Sequence, residues 1–598
     1  MQNAETVMDV LRERGRRGLP LDQLYRQMFN PQVYLMAYGR IYANKGAMTP
    51  GATQETVDGM SLGRIDRIID AMRCERYRFT PVRRVYIPKK SGKLRPLGLP
   101  TWSDKLVGEV VRLLLEAYYE PMFSDRSHGF RPGRGCHTAL REVANTWTGT
   151  SWFIEGDLAD CFGSFDHEVM LSILAEKIHD NRFLRLVRNM CQAGYLEDWT
   201  WGATLSGVPQ GGVASPVLSN IYLHKLDVFV ETVLIPEYTR GKLRARSPEY
   251  RKAERAIRRA REQGNRAQLR ELYRRLHSLP SQDPCDPGYR RLRYCRYADD
   301  MLLGFAGPKV EAEEIKARSA VFLRDDLKLE LSHDKTLITH ARSQRACFLG
   351  YEIDVASSDR RTRRPSDTDR RNRRSLNGTV VLHVPAAVIK AKSAPYMSRG
   401  IPACRNRMIN EADYSIVGRF GAEYRGLVQY YLLAGDVFRL HRLRWVMETS
   451  MLETLACKHR ASVSKMAARY KAKIETPHGP RTCFEAKVER AGKEPLVARF
   501  GGIPLKRQKM AVLTDRLSTG PVYPNKELIR RLLRGRCELC GRADGIEVHH
   551  IRNLAQLQQA ASSPPQWVQV MAKRRRTTLV VCGECHALIH GRSVTSTE

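Results

Sequence analysis

At 598 residues the chain is too long for one hydrophobic core and divides into several domains. The 42% hydrophobic content suits packed globules, and no run approaches the ~20 apolar residues of a membrane span, so membrane classes are excluded. A net charge of +36 points to a polyanionic partner.

Residues 1–80 read as a basic, largely helical extension. Ser61 caps an amphipathic helix whose Ile65, Ile68, Ile69 and Met72 share one face. The N-terminus mixes acids with arginines and lacks an apolar signal core, so no presequence is expected. Val82 to Pro100 reads as strand, turn, strand, with Lys89 and Arg95 on a basic hairpin. A helix follows from Ser103 to Glu120, then the stretch His128-Gly129-Phe130-Arg131-Pro132-Gly133-Arg134.

Two acidic sites follow. Trp152 to Leu158 is an apolar strand delivering Asp157 near its end. Tyr297-Ala298-Asp299-Asp300 lies between two β-prone runs, which puts adjacent carboxylates at a hairpin tip. A lone Asp-Asp pair usually marks an ordinary polar turn. Two strands of one sheet that bring Asp157 beside Asp299 instead create a repulsion that a divalent cation relieves. Paired hard-oxygen ligands on a rigid sheet are what two-metal phosphoryl transfer requires.

Between these sites, Gly207 to Gly212 supplies small residues and the Gln210 amide, and Ser215-Pro216 opens a helix with proline in its first turn. An insertion over about 237–291 is rich in arginine with interleaved glutamates, a pattern that serves exposed helices or a face docked on RNA phosphates. Residues 361–400 read as a linker. Residues 401–472 read as a helical bundle with a basic, aromatic face, and 473–525 as a DNA-binding or linker region. In 526–598, Cys537, Cys540, Cys582 and Cys585 form two C-x-x-C pairs, the spacing of a tetrahedral structural zinc. The other ten of the 14 cysteines are scattered singly, as in a reduced compartment, which disfavours a disulfide reading of the pairs. His586 and His590 are four apart and face the same way on a helix.

The order Asp157, Gly207-Val208-Pro209-Gln210-Gly211-Gly212, Tyr-Ala-Asp-Asp resembles reverse transcriptases, and more narrowly the proteins encoded by group II introns. The resemblance runs nearly the full length. It implies an α+β multidomain fold: a right-hand polymerase over 81–360 (fingers, and a palm with an antiparallel sheet), an α-helical thumb or maturase domain, and a small zinc-containing ββα HNH domain. The N-terminal extension is expected to embrace the template. Asp157, Asp299 and Asp300 are the implied catalytic ligands of two Mg2+ ions. Lys89 and Arg95 grip the dNTP triphosphate, Phe162 blocks a ribose 2′-hydroxyl, Gln210 touches nucleic acid and Lys335 sits near the acids. Arg425-Gly426, Tyr430-Tyr431, His441, Trp445, Lys458 and His459 appear in maturase order, on helices suited to structured RNA.

The C-terminal stretch looks like an HNH endonuclease, with His549, His586 and His590 as ligands of one divalent ion (Mg2+ or similar) and His550 as general base. The motif's middle asparagine is displaced, since Thr577 and Thr578 precede Cys582. A zinc ribbon without cleavage activity is the plainer alternative. The implied function is reverse transcription of a parent intron RNA, its splicing, and nicking of target DNA that primes synthesis (retrohoming), in a bacterial cytoplasm, with an organelle left open. Two rivals are an RNA-binding splicing factor with a dead polymerase and the reverse transcriptase of a retron or defence system. Sequence leaves the oligomeric state open.

Overall fold

A computed structural model describes residues 3–591 apart from 89–91, 93, 198–199, 205, 208–210, 284–285, 333, 358–377, 478, 491, 514–526 and 555–563. The central helix, Trp102–Tyr119, is capped by the Thr101 hydroxyl, which accepts from the Asp104 N–H. Fifteen of its residues are buried, Arg112 among them, paired with Glu109 and Glu116. The helix Leu62–Arg73 starts at Ser61, whose side chain accepts from Arg64, and buries Ile65, Ile68, Ile69 and Met72 as the periodicity predicts. Each such side chain contributes about 2 kcal/mol.

Helices Ala4–Arg16 and Pro31–Ile41 also pack on the central helix. Gly15 marks how closely: a Cβ there would lie 1.9 Å from the Tyr118 carbonyl oxygen. The N-terminal extension is therefore largely a packed part of the fingers, because its apolar residues from Val7 to Met60 join the main core.

The palm is a four-stranded antiparallel sheet, ordered Arg291–Tyr297, Asp300–Ala306, Trp152–Asp157, Ile338–His340. A second four-stranded sheet carries the fingers hairpin Val82–Pro88 and Leu94–Leu99. The basic insertion folds as two helices, Pro248–Glu262 and Arg266–Ser278, around Ala253, Ile257 and Leu276.

The thumb is built from helices Asp413–Tyr430, His441–His459 and Val463–Tyr470. Two expected linkers carry regular structure instead. Within 361–400, the strand Val380–His383 and helix Ala386–Ser393 are formed. Within 473–525, strands Arg481–Arg490 and Lys493–Gly501 pair antiparallel and pack on helix Asp413–Tyr430. Gly421 sits where a Cβ would meet the Arg499 carbonyl oxygen at 2.0 Å. Phe484, Ala486, Ala498 and Phe500 make the hairpin part of the thumb core, so the polar sequence reading missed alternating buried positions.

The C-terminal module is a small ββα unit: strands Ile546–His550 and Thr578–Cys582, then helix Gly583–Ile589. Met60–Ser61 of the N-terminal region adds a third, antiparallel strand beside Ile546–His550. Among the described residues no helix is long and apolar enough to cross a membrane.

Candidate active sites

The antiparallel register sets Asp157 directly opposite Asp300, at the ends of adjacent central strands. Tyr297 pairs with Asp300, leaving Ala298 and Asp299 as a two-residue turn. Ala298 takes φ +54°, where such a turn favours glycine, so the tip stores ~1 kcal/mol of strain. Burial, and then the Asp157 charge, raise the Asp299 carboxyl. Burial, together with Asp299 and Asp157, pushes Asp300 up to about 7. Asp157, Asp299 and Asp300 thus crowd three carboxyl groups into one site, an arrangement that a divalent cation stabilises. The hard-oxygen donors fit Mg2+.

Lys335 donates to Asp157 at 2.5 Å, and its own pKa is raised, chiefly by that bond. Arg95 projects from the exposed fingers strand with its charge close enough to lower Asp299. Phe162 follows Asp157 on the short helix Cys161–Ser164, edge-on to Phe130 at 6.4 Å and to Phe165 at 6.2 Å. Lys89 and Gln210 lie outside the described residues.

The groups that hold the turn in place are ones the sequence reading missed. Arg296 is 1% exposed and donates through two nitrogens to Asp227, at 2.7 and 2.6 Å. It also reaches the Ala298 carbonyl and the Asn220 side chain. Asn220 in turn donates to the Gly129 carbonyl. Gly129 needs its lack of a side chain: a Cβ would lie 2.4 Å from the Ala298 nitrogen. The stretch from His128 therefore buttresses the acidic turn, a role its position next to Arg296 reveals only in three dimensions.

In the thumb, several residues expected to face RNA turn inward. Tyr430 and Tyr431 donate to the carbonyls of Leu349 and Gly350, and Lys458 and His459 bind Asp413. Trp445, by contrast, is 56% exposed on the helix His441–His459.

In the C-terminal module, the strand ending in His549-His550 and the following helix bring His549, His586 and His590 together. Their candidate ligand atoms lie within 4.8 Å of one another, and Asp58 from the N-terminal region completes the set. Asp58 Oδ1 stands 3.3 Å from His549 Nδ1 and 3.3 Å from His586 Nε2, and its Oδ2 is 2.8 Å from His590 Nε2. Glu547 binds the other nitrogen of His586 at 2.8 Å, which fixes the tautomer that leaves Nε2 free for a ligand. His549 is 4% exposed, and neither ring nitrogen has a hydrogen-bond partner among the described residues. A buried imidazole whose ring nitrogens make no well-formed hydrogen bond, facing a carboxylate and two further imidazoles, fits a transition-type divalent cation.

His550 points to the other face of the strand. Its Nε2 meets the Tyr38 hydroxyl at 3.0 Å, and burial presses its pKa down to about 3. The expected general base is thus enclosed by the N-terminal region and tied to a phenol instead of facing solvent.

The four sulfurs of Cys537, Cys540, Cys582 and Cys585 also lie within 4.8 Å of one another, a set that could hold zinc. Burial raises the Cys537 thiol, but the backbone N–H groups of Cys540, Cys582 and Leu539 outweigh that and hold it near 6. Such a thiol is readily deprotonated to a metal ligand.

An antiparallel palm bearing three acids, beneath a fingers hairpin and beside a helical thumb, joined to a ββα histidine module, defines a polymerase with an appended nuclease-type domain. Family comparisons agree along the chain. Residues 87–239 match the family described as "Reverse transcriptase (RNA-dependent DNA polymerase)", 377–498 match "Type II intron maturase", and 537–586 match "AI2M/AI1M-like, HNH endonuclease". The chain is 37% identical over 586 residues to "Group II intron-encoded protein LtrA" of Lactococcus lactis subsp. cremoris, covering 94% of this chain and 95% of that protein. It is 30% identical over 611 residues to the "Uncharacterized 91 kDa protein in cob intron" of Schizosaccharomyces pombe, covering 100% of this chain and 74% of that protein. Identity to the "Putative COX1/OXI3 intron 1 protein" of Saccharomyces cerevisiae is also 30%, over 98% of this chain and 70% of that protein.

The chain belongs to the group II intron-encoded proteins. It is an RNA-directed DNA polymerase and DNA endonuclease that also carries a maturase domain.

Proposed function

We propose that Asp157, Asp299 and Asp300 hold two Mg2+ ions at which a DNA 3′-end is extended on the parent intron RNA. The bound ions would lower the pKa of the 3′-hydroxyl and neutralise charge on the triphosphate. The protein's own groups then divide the work. Arg95 and Lys89 orient the dNTP phosphates, Arg through its planar donor fork. Phe162 excludes a 2′-hydroxyl by occupying its space. Gln210 contacts the nucleic acid near the primer end, and Lys335 balances the Asp157 charge.

Cys537, Cys540, Cys582 and Cys585 hold a zinc ion that fixes the ββα module. His549, His586 and His590 hold the endonuclease's divalent ion, and His550 would take a proton from the attacking water only once its contact with the Tyr38 hydroxyl has opened. The nick leaves a 3′-hydroxyl, so the endonuclease makes the primer that the palm consumes. The substrates are then the intron RNA, a target DNA and dNTPs, and the setting a bacterial cytoplasm.

The observation that carries this reading is the register of the central palm strands, with Asp157 opposite Asp300 and Asp299 in the adjoining turn. Asp299→Ala is expected to lower primer extension at least ~1,000-fold, since a lost metal ligand removes several kcal/mol of transition-state stabilisation. RNA binding and DNA nicking by the same variant should stay at wild-type levels. Loss of all three together would defeat the assignment of separate sites.

A further inference from the structure

His549 is buried, and Asp58 stands against all three endonuclease histidines. We propose that Asp58, on the N-terminal side of the fingers, is the fourth ligand of the HNH ion, and that this contact holds the endonuclease shut until a DNA phosphate takes its place. The inference rests on the HNH reading of His549, His586 and His590.

The geometry is convergent. One carboxylate reaches all three imidazoles, at 3.3, 3.3 and 2.8 Å, while its Oδ1 also accepts the His550 backbone N–H at 2.7 Å. Three imidazoles and one carboxylate complete a four-coordinate shell, the closed arrangement of a site that holds metal without turning over substrate. A catalytic site keeps one position open, and here Asp58 stands in it.

The segment that carries Asp58 is anchored. The Gly59 N–H bonds the Val548 carbonyl at 3.0 Å, and Met60 and Ser61 pair with Val548 and Glu547. Gly59 adopts φ +72°, and a Cβ there would come within 3.5 Å of the His586 ring, so the chain turns tightly over the histidines. Beneath it, Leu528, Ile529, Leu532, Val548 and Val580 of the C-terminal module share one apolar core with the fingers. The module is docked rather than tethered. The same docking encloses His550, whose Nε2 is 3.0 Å from the Tyr38 hydroxyl. Ligand position and base are thus masked by a single contact surface.

A phosphodiester oxygen is, like a carboxylate, a singly charged hard donor, so DNA delivered to the module can replace Asp58 one for one. Nicking would then begin only when DNA is seated across both the fingers and the module.

The test uses the full chain and three readouts. In Asp58→Ala, Zn2+ competition with a chromophoric chelator should show one of two bound ions loosened about 10- to 100-fold, with His590→Ala marking which ion it is. Hydrogen exchange of residues 546–550 should quicken about tenfold, and nicking of a supercoiled plasmid with Mg2+ should rise at least tenfold over wild type. Tyr38→Phe, which removes the hydrogen bond to His550 but leaves the docked surface and the ligand shell in place, should keep both ion affinity and the low wild-type nicking. Wild-type ion affinity and exchange in Asp58→Ala would overturn the latch, as would a fall in nicking. A loosened ion with no nicking by any of the proteins would leave Asp58 as a ligand and defeat the endonuclease reading instead.

Discussion

The two candidate metal-binding regions are assembled in opposite ways. The palm draws Asp157, Asp299 and Asp300 from neighbouring strands of one sheet, so ordinary antiparallel register brings them together. The histidine cluster recruits Asp58 from far upstream, 528 residues before His586, through docking of two regions whose cores merge. A site made by register forms whenever its sheet forms. A site completed by docking has a state in which the partner is absent, and it can therefore be switched.

The strongest way to break this contrast is to remove a palm ligand. If the sites are independent, Asp299→Ala silences extension and leaves nicking intact. Next in size is the support under the acidic turn. Asp227→Asn removes one charge of a buried pair and leaves Arg296 uncompensated, at a cost of about 3–5 kcal/mol. Arg296 also fixes the Ala298 carbonyl, so the turn should shift with it. Extension is expected to fall steeply, together with the thermal midpoint, while zinc content stays at wild-type levels. Unchanged extension would show that the turn is held by its strands alone.

This difference also explains what could be read from sequence. The Tyr-Ala-Asp-Asp hairpin and the Asp157 strand announce themselves, because a strand pattern of period two carries each acid at a definite end. The paired cysteines and the His586–His590 spacing are legible for the same local reason. Asp58 is not. It sits in an unremarkable polar stretch, Thr53 to Gly59, and only the pairing of Ser61 with Glu547 shows where it goes. Asp227 is hidden likewise: on an amphipathic helix it looks like a solvent-facing acid, yet it is fully buried beneath the palm. The hairpin of 481–501 was obscured by its many charges, which occupy the outward positions of strands whose inward positions are Phe484, Ala486, Ala498 and Phe500.

Phe162 sharpens the comparison within the palm, because its proposed effect is on nucleotide selection rather than on metal binding. Its ring meets Phe130 and Phe165 edge-on, at 6.4 and 6.2 Å. Phe162→Ala should reduce the preference for dNTPs over rNTPs by about 10- to 200-fold, the range a contact of this size supports. Steady-state incorporation of each nucleotide measures it. A preference kept at wild-type strength would place the steric gate elsewhere.

The smallest effect is expected in the thumb, where charges serve stability instead of chemistry. Burial raises the Asp413 carboxyl, but hydrogen bonds from Lys458, Tyr470 and His459 outweigh it and hold the pKa at about 2. A depressed folded pKa stabilises the folded state above the unfolded pKa of about 4, and the contribution is lost as pH falls through 2. Because the group is partly solvated, the gain at pH 7 is only ~1 kcal/mol after screening. Asp413→Asn should therefore lower hydrogen-exchange protection of the helix Asp413–Tyr430 about fivefold at pH 7, and by roughly half that free energy at pH 3. At pH 3 the unfolded chain binds a proton that the folded chain refuses, which is why the penalty of the substitution shrinks. A penalty independent of pH would mean that Asp413 acts through packing alone, and would place Lys458 and His459 back among the side chains free to meet RNA.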